Sequence, residues 1–255
     1  MEGKDPILER PYELPDGTRI TIAGLLDKGF IEKLIDDRVF RIIFVMGSGR
    51  MPGAAHPALV SDALFFPEIS VELYKVIEGY GYEYEAKSAL DIDLEADENL
   101  LKENMLISGG PLVNSITRRL MERYGAYLKI CFPPESGGIK VRHRKQEKTL
   151  WEGYEDAGFL SIMKNPWASD EGIPRIVILC AGNYPVGTVA SLRFLLDLIK
   201  DPLKREDAKI DGDEVPAHIV KGQKRKYREP QPELHNIESY EVITEKVIKW
   251  IESRR

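Results

Sequence analysis

Pro174-Arg-Ile-Val-Ile-Leu179, Cys180-Ala-Gly-Asn-Tyr-Pro-Val-Gly-Thr188 and Val189-Ala-Ser-Leu-Arg-Phe-Leu-Leu196 follow one another without a break. They read as an apolar strand, a glycine-rich turn and a helix. The same order occurs twice upstream. Arg41-Ile-Ile-Phe-Val-Met46 leads into Gly47-Ser-Gly49-Arg-Met-Pro-Gly53. Asn104-Met-Leu-Ile107 leads into Ser108-Gly-Gly-Pro111 and the helical stretch Leu112-Val-Asn-Ser-Ile-Thr-Arg-Arg-Leu-Met121. Such alternation predicts an α/β fold, with a mainly parallel sheet and helices on both faces. A parallel sheet gathers its strand ends on one edge, where glycine turns expose backbone N–H groups at helix N-termini.

Outward from these units the signals are shorter. Residues 1–40 read as an N-terminal lead-in, and residues 41–255 as one α/β domain. Within the lead-in, Tyr12-Glu-Leu-Pro-Asp-Gly-Thr18 carries a turn, Arg19-Ile-Thr-Ile-Ala23 alternates like a strand, and Gly24–Asp37 has helical spacing. Val71–Glu78 reads as a helix and Tyr82–Ala86 as a strand. Residues from Asp91 to Glu103 are strongly acidic and predict a surface loop or helix. Ala126–Phe132 reads as a strand, Ile139–Lys145 as part of a β-hairpin and Ala217–Lys221 as a further strand. Ile243, Val247, Ile248 and Ile251 form one stripe, which predicts a terminal amphipathic helix over 237–251.

The 255 residues are 43% hydrophobic, enough to bury a large core. Charged residues make up 31%, rich in Lys, Glu and Arg, a bias shared with thermophile proteins. A net charge of −6 gives no reason to expect nucleic acid as a partner. The basic stretches Lys140–Lys148 and Lys221–Arg228 then read as solvated surface. Cys131 and Cys180 lie in or beside apolar runs and read as buried free thiols. The four histidines, His56, His143, His218 and His235, are scattered, and no Cys/His cluster has metal-ligand spacing. The polar N-terminus and the short apolar runs predict a cytoplasmic protein with no membrane partner.

Common phosphate motifs fail residue by residue. No Gly-x-x-x-x-Gly-Lys-Ser/Thr loop occurs. Gly47, Gly49 and Gly53 miss the dinucleotide spacing by one residue, and Pro52 interrupts them. The second and third turns carry the candidate ligand-binding residues: Gly109, Gly110, Asn114 and Ser115, then Gly182, Asn183, Gly187 and Thr188. Gly109 and Gly110 permit close approach, Pro111 suits a first helical turn, and Arg118 or Arg119 offers a counter-charge. Thr188 reads first as a helix N-cap. Trp167, in Lys164-Asn-Pro-Trp167, reads as the lid of a core. Trp151-Glu-Gly-Tyr-Glu-Asp156 clusters carboxylates without fixing their separation.

Taken together, Leu106-Ile-Ser-Gly-Gly-Pro-Leu-Val-Asn114, Lys164-Asn-Pro-Trp167 and Cys180-Ala-Gly-Asn-Tyr-Pro-Val-Gly-Thr-Val-Ala190 resemble the ordered signature of the archaeal S-layer-type domain. The resemblance covers about residues 100–200. It implies a three-layer, Rossmann-like module and brings no catalytic residue. The leading expectation is a module that binds or senses a small polar or anionic ligand, such as a phosphorylated metabolite. An enzyme using the same crevice through Asn114, Asp156, Asn183 or Thr188 is one alternative. A self-associating homo-oligomer related to surface-layer modules is the other.

Overall fold

Beyond Arg41, Ile42-Ile-Phe-Val-Met46 alternates its side chains between two apolar layers, which is why the run is continuously hydrophobic. In the computed structural model it forms the strand Val39–Met46. The structure describes residues 10–49, 58–132, 138–144, 146–150, 154, 157–169, 171–210, 215–224 and 237–253. The strands are β1 (Val39–Met46), β2 (Glu83–Leu90), β3 (Asn104–Ser108), β4 (Ile130–Cys131), β5 (Ile139–His143), β6 (Gln146–Leu150), β7 (Ala157–Lys164), β8 (Ile176–Gly182), β9 (Ala217–Lys224) and β10 (Ile237–Val242). The helices are α1 (Lys28–Lys33), α2 (Ala58–Gly79), α3 (Asp91–Ala96), α4 (Ser115–Tyr124), α5 (Pro185–Lys200), α6 (Pro202–Asp207) and α7 (Thr244–Glu252).

Among the described residues, one sheet has the order β10-β9-β7-β8-β3-β1-β2. Strands β2, β1, β3 and β8 are parallel neighbours, whereas β8–β7, β7–β9 and β9–β10 are antiparallel. The sheet is therefore mixed rather than mainly parallel. A parallel neighbour needs a crossover, and the described residues between β7 and β8 hold no helix to make one. Strands β4, β5 and β6 form a separate antiparallel sheet that contains the expected hairpin.

Two cores flank the main sheet. Ile42, Phe44, Leu106, Ile178 and Cys180 face one, with α2 and α5. Ile43, Val45, Ile107, Leu179 and Phe159 face the other, with α4, α7 and the small sheet. The lead-in seals the first core through Leu14, Ile20, Ile22, Leu26, Phe30 and Ile31. Its expected strand is only an isolated bridge between Glu13 and Arg19, and its expected helix is a 3₁₀ turn, Ala23–Leu26, followed by α1. At the amino end of β3, buried Asn104 ties three strands together. It donates to Arg41 O at 2.8 Å and accepts from Ile176 N at 3.0 Å.

Several local expectations change. Val71–Glu78 is the second half of the long helix α2, which accommodates Pro67. The strand expected over 126–132 is only Ile130–Cys131. The stretch 237–251 splits into β10 and α7, because the first half pairs with β9 while the second buries Val247 and Ile251. Both cysteines are buried free thiols. No helix among the described residues is long and apolar enough to cross a membrane.

Candidate functional site

The carboxyl ends of β1, β3 and β8 are adjacent, so the three glycine turns meet on one edge. After β1 the chain enters α2 against one face, and after β3 it enters α4 against the other. The order reverses between β1 and β3, since β2 lies on one side of β1 and β3 on the other. Open α/β sheets place ligand crevices at such a switch point. Here the first and second turns flank it.

The second turn is built by its own residues. Gly109 has φ +98°, donates N–H to Cys180 O at 3.0 Å and accepts from Thr117 Oγ1 at 2.8 Å. Helix α4 begins at Ser115, later than its apolar pattern predicts, because Asn114 is the N-cap. Asn114 Oδ1 accepts from Ile116 N and Thr117 N at 3.0 and 3.1 Å, and its Nδ2 donates to Ser108 O at 2.9 Å. Fully buried, this amide is committed to the turn. Pro111 precedes the helix instead of opening it.

A carboxylate from the acidic stretch joins the first two turns. Asp91 Oδ1 accepts from Ser48 N at 2.8 Å and from Ile92 N at 3.0 Å, while Oδ2 accepts from Ser115 N at 2.7 Å. Asp91 is only 1% exposed, although its neighbours Asp93, Glu95 and Asp97 are at the surface. It holds the place at the α4 N-terminus that a bound anion would take, complementing the helix dipole from within. The composition around Asp91 points to surface and hides this role. The turns also touch directly: Gly49 N donates to Val113 O at 3.2 Å, and a Cβ on Gly47 would lie 2.2 Å from Val113 O.

The third turn is close packing. A Cβ on Gly187 would meet Ala157 O at 2.1 Å, one on Gly158 would meet Gly187 O at 1.9 Å, and one on Gly182 would meet Thr188 N at 2.4 Å. The first turn of α5 therefore rests on the bare backbone of β7 and β8. Its N-cap is Tyr184, with Pro185 leading the helix, so Thr188 lies inside the helix and is buried rather than capping it. Asn183 binds the small sheet to the large one. Its Oδ1 accepts from Ile139 N at 2.9 Å, and its Nδ2 donates to Leu150 O and Tyr154 O at 3.1 and 2.9 Å. A Cβ on Gly110 would lie 3.3 Å from Gly182 O and 3.6 Å from the Phe132 ring, so the second and third turns are in near contact.

Among the described residues, two hydroxyls at this edge lack internal partners. Ser108 Oγ and Ser115 Oγ are buried and make no hydrogen bond. By contrast, the hydroxyls of Thr117 and Ser191 are each bonded to a carbonyl. Arg119 lies 3.8 Å from Glu98 and sits over the Trp167 ring at 5.8 Å. Trp167 packs on the second core as expected of a lid, and Asn165 braces the connection by donating to Leu101 O and Glu103 O, both at 2.7 Å. Gly53 of the first turn, His56, His235, the carboxylate Asp156 with Trp151, Glu152 and Glu155, and the second half of the basic stretch 221–228 lie outside the described residues. Among the described residues no group of His, Cys, Asp and Glu could hold a metal ion. No protein-family model matches the chain, and no curated protein matches it.

Proposed function

We propose that the chain is a binding module for a small, hydroxylated, uncharged ligand, seated over the carboxyl ends of β1 and β3. The carrying observation is the pair of buried hydroxyls, Ser108 and Ser115, left without partners at the switch point. A buried polar group without a partner costs about 1–3 kcal/mol, which a ligand supplying the hydrogen bond would recover. Asp91 already occupies the N–H groups of Ser48 and Ser115, which favours a sugar, polyol or nucleoside moiety over a phosphate at this position. Kinship with the archaeal S-layer-type domain belongs to the same proposal. It rests on the Gly109–Asn114, Asn165–Trp167 and Gly182–Thr188 segments, whose roles here are capping, bracing and close packing.

Thermal-shift titration with sugars, polyols, nucleosides and their phosphates tests this reading. Uncharged hydroxylated compounds should raise the melting temperature more than their phosphates do. Ser108→Ala and Ser115→Ala should leave the unliganded melting temperature unchanged or higher, since each removes an unsatisfied hydroxyl, and should abolish the ligand's shift. Lack of stabilisation by any compound, or variants that respond like the parent chain, would sink the proposal.

A further inference from the structure

Among the described residues, strand β2 ends the main sheet and pairs on one side only, with β1. Its eight residues run in unbroken register from Glu83 to Leu90, without proline or bulge, and Ala86, Lys87 and Ser88 are exposed. The opposite edge is different, because β10 carries a register shift between Ile237 and Ser239. Sheet edges are usually blunted by bulges, prolines, short length or charges; β2 has only the last, in exposed Glu83, Glu85 and Lys87. Beside it, a groove of about 230 Å³ opens between α2 and the sheet, lined by Phe44, Phe66, Pro67, Ser70, Ala86 and Ser88.

The flank of α2 along this groove is apolar. Leu64 is 69% exposed, Val71 51% and Tyr74 44%, and with Pro67 they recur at helical spacing. Tyr74 meets Tyr84 of β2 edge-on, while the other flank of α2 meets α5 through the Lys200–Glu68 ion pair. The apolar flank and the unpaired strand therefore face outward together.

We propose that this edge receives a second copy of the same chain, with the two β2 strands antiparallel about a two-fold axis at Ala86. The charges choose the register. On one face of β2 stand Glu85 and Lys87; a two-fold pairing centred on either would set that residue against its own copy. Centring on Ala86 sets Glu85 against the partner's Lys87 in both directions, and Tyr84 against the partner's Ser88. Glu85 already holds Arg41 at 3.0 Å, so Lys87 of the second copy joins an existing ion pair. The resulting sheet runs through both copies and brings the two apolar α2 flanks to the same face.

Light scattering on the full chain should show a dimer at micromolar concentration. Lys87→Glu should raise its dissociation constant about tenfold or more, because both opposite-charge pairs become like-charge pairs. Adding Glu85→Lys to that variant should restore dimerisation. Ala86→Cys should cross-link to a covalent dimer on mild oxidation, with both native cysteines buried away from the surface. A monomer at every concentration overturns the proposal. So does a dimer that is indifferent to Lys87→Glu and resists cross-linking through Ala86→Cys.

Discussion

Asp91 holds more of the strand edge together than any glycine beside it. One buried carboxylate satisfies three backbone N–H groups, from Ser48, Ile92 and Ser115, on segments far apart in sequence. Hydrogen bonds to charged groups contribute about 1.5–3 kcal/mol each, and donors stranded in the interior cost a comparable amount. Asp91→Ala should therefore lower unfolding stability by about 3 kcal/mol, read from the midpoint and slope of urea denaturation. Asp93→Ala, two residues on and exposed, loses its bond to Leu90 N at 2.8 Å, a surface contact, and should cost well under half of that. Equal losses in the two variants would mean that the bridge is energetically unimportant.

At the scale of elements, the first turn of helix α5 meets the sheet through bare glycine backbone, while the rest of the helix packs by apolar side chains. The backbones of Gly158, Gly182 and Gly187 approach so closely that no side chain fits between them. Gly187→Ala pushes its methyl into Ala157 O, a backbone atom that moves only if the helix lifts away. A loss of about 3 kcal/mol is expected, measured by thermal or urea unfolding. Gly29, in α1, is the opposite case: a Cβ there meets nothing within 4 Å. Gly29→Ala should gain roughly 0.5–1 kcal/mol from helix propensity. Were both substitutions neutral, the close packing of α5 would not be a source of stability.

For the whole molecule, the far end of the sheet is joined by a neutral histidine. His218, on β9, is 1% exposed. Its Nε2–H donates to Ala208 O just after α6, and its Nδ1 accepts from the Thr244 hydroxyl of α7 at 3.0 Å. Thr244 Oγ1 in turn accepts from Ile219 N at 2.9 Å. Burial pushes the His218 pKa down to about 4, opposed by the Ala208 carbonyl and by Glu245. The unfolded chain takes up a proton near pH 6.5, and the native chain only near 4. The contribution is thus complete above pH 6.5 and is lost as the pH falls from 6.5 to 4, by about 3 kcal/mol across the window. Urea unfolding between pH 4 and 7 should show this slope in the parent chain. His218→Gln should flatten it, while carboxylates that titrate in the same range contribute equally to both. An unchanged slope would mean that His218 is protonated alike in both states.

The amino-acid order alone set the strand–turn–helix units, because β-branched runs, glycine breaks and helical stripes act over a few neighbouring residues. It placed glycines at three turns and located α5 and most of α4 to within a few residues. It did not determine which strands would be neighbours, nor that half the described pairings of the main sheet would be antiparallel, since those depend on how crossovers pack across the whole sheet. An acidic stretch gives no local sign that one carboxylate of its six is buried, and Asp91 is singled out only when Ser48 and Ser115 come within 3 Å of it. Asn114, Asn183 and Gly187 look alike as ligand groups or as struts in one dimension. Tertiary structure committed them to capping, cross-bracing and close approach, because a buried amide must spend its hydrogen bonds on the nearest backbone and helix backbone can meet strand backbone only where no Cβ stands between them.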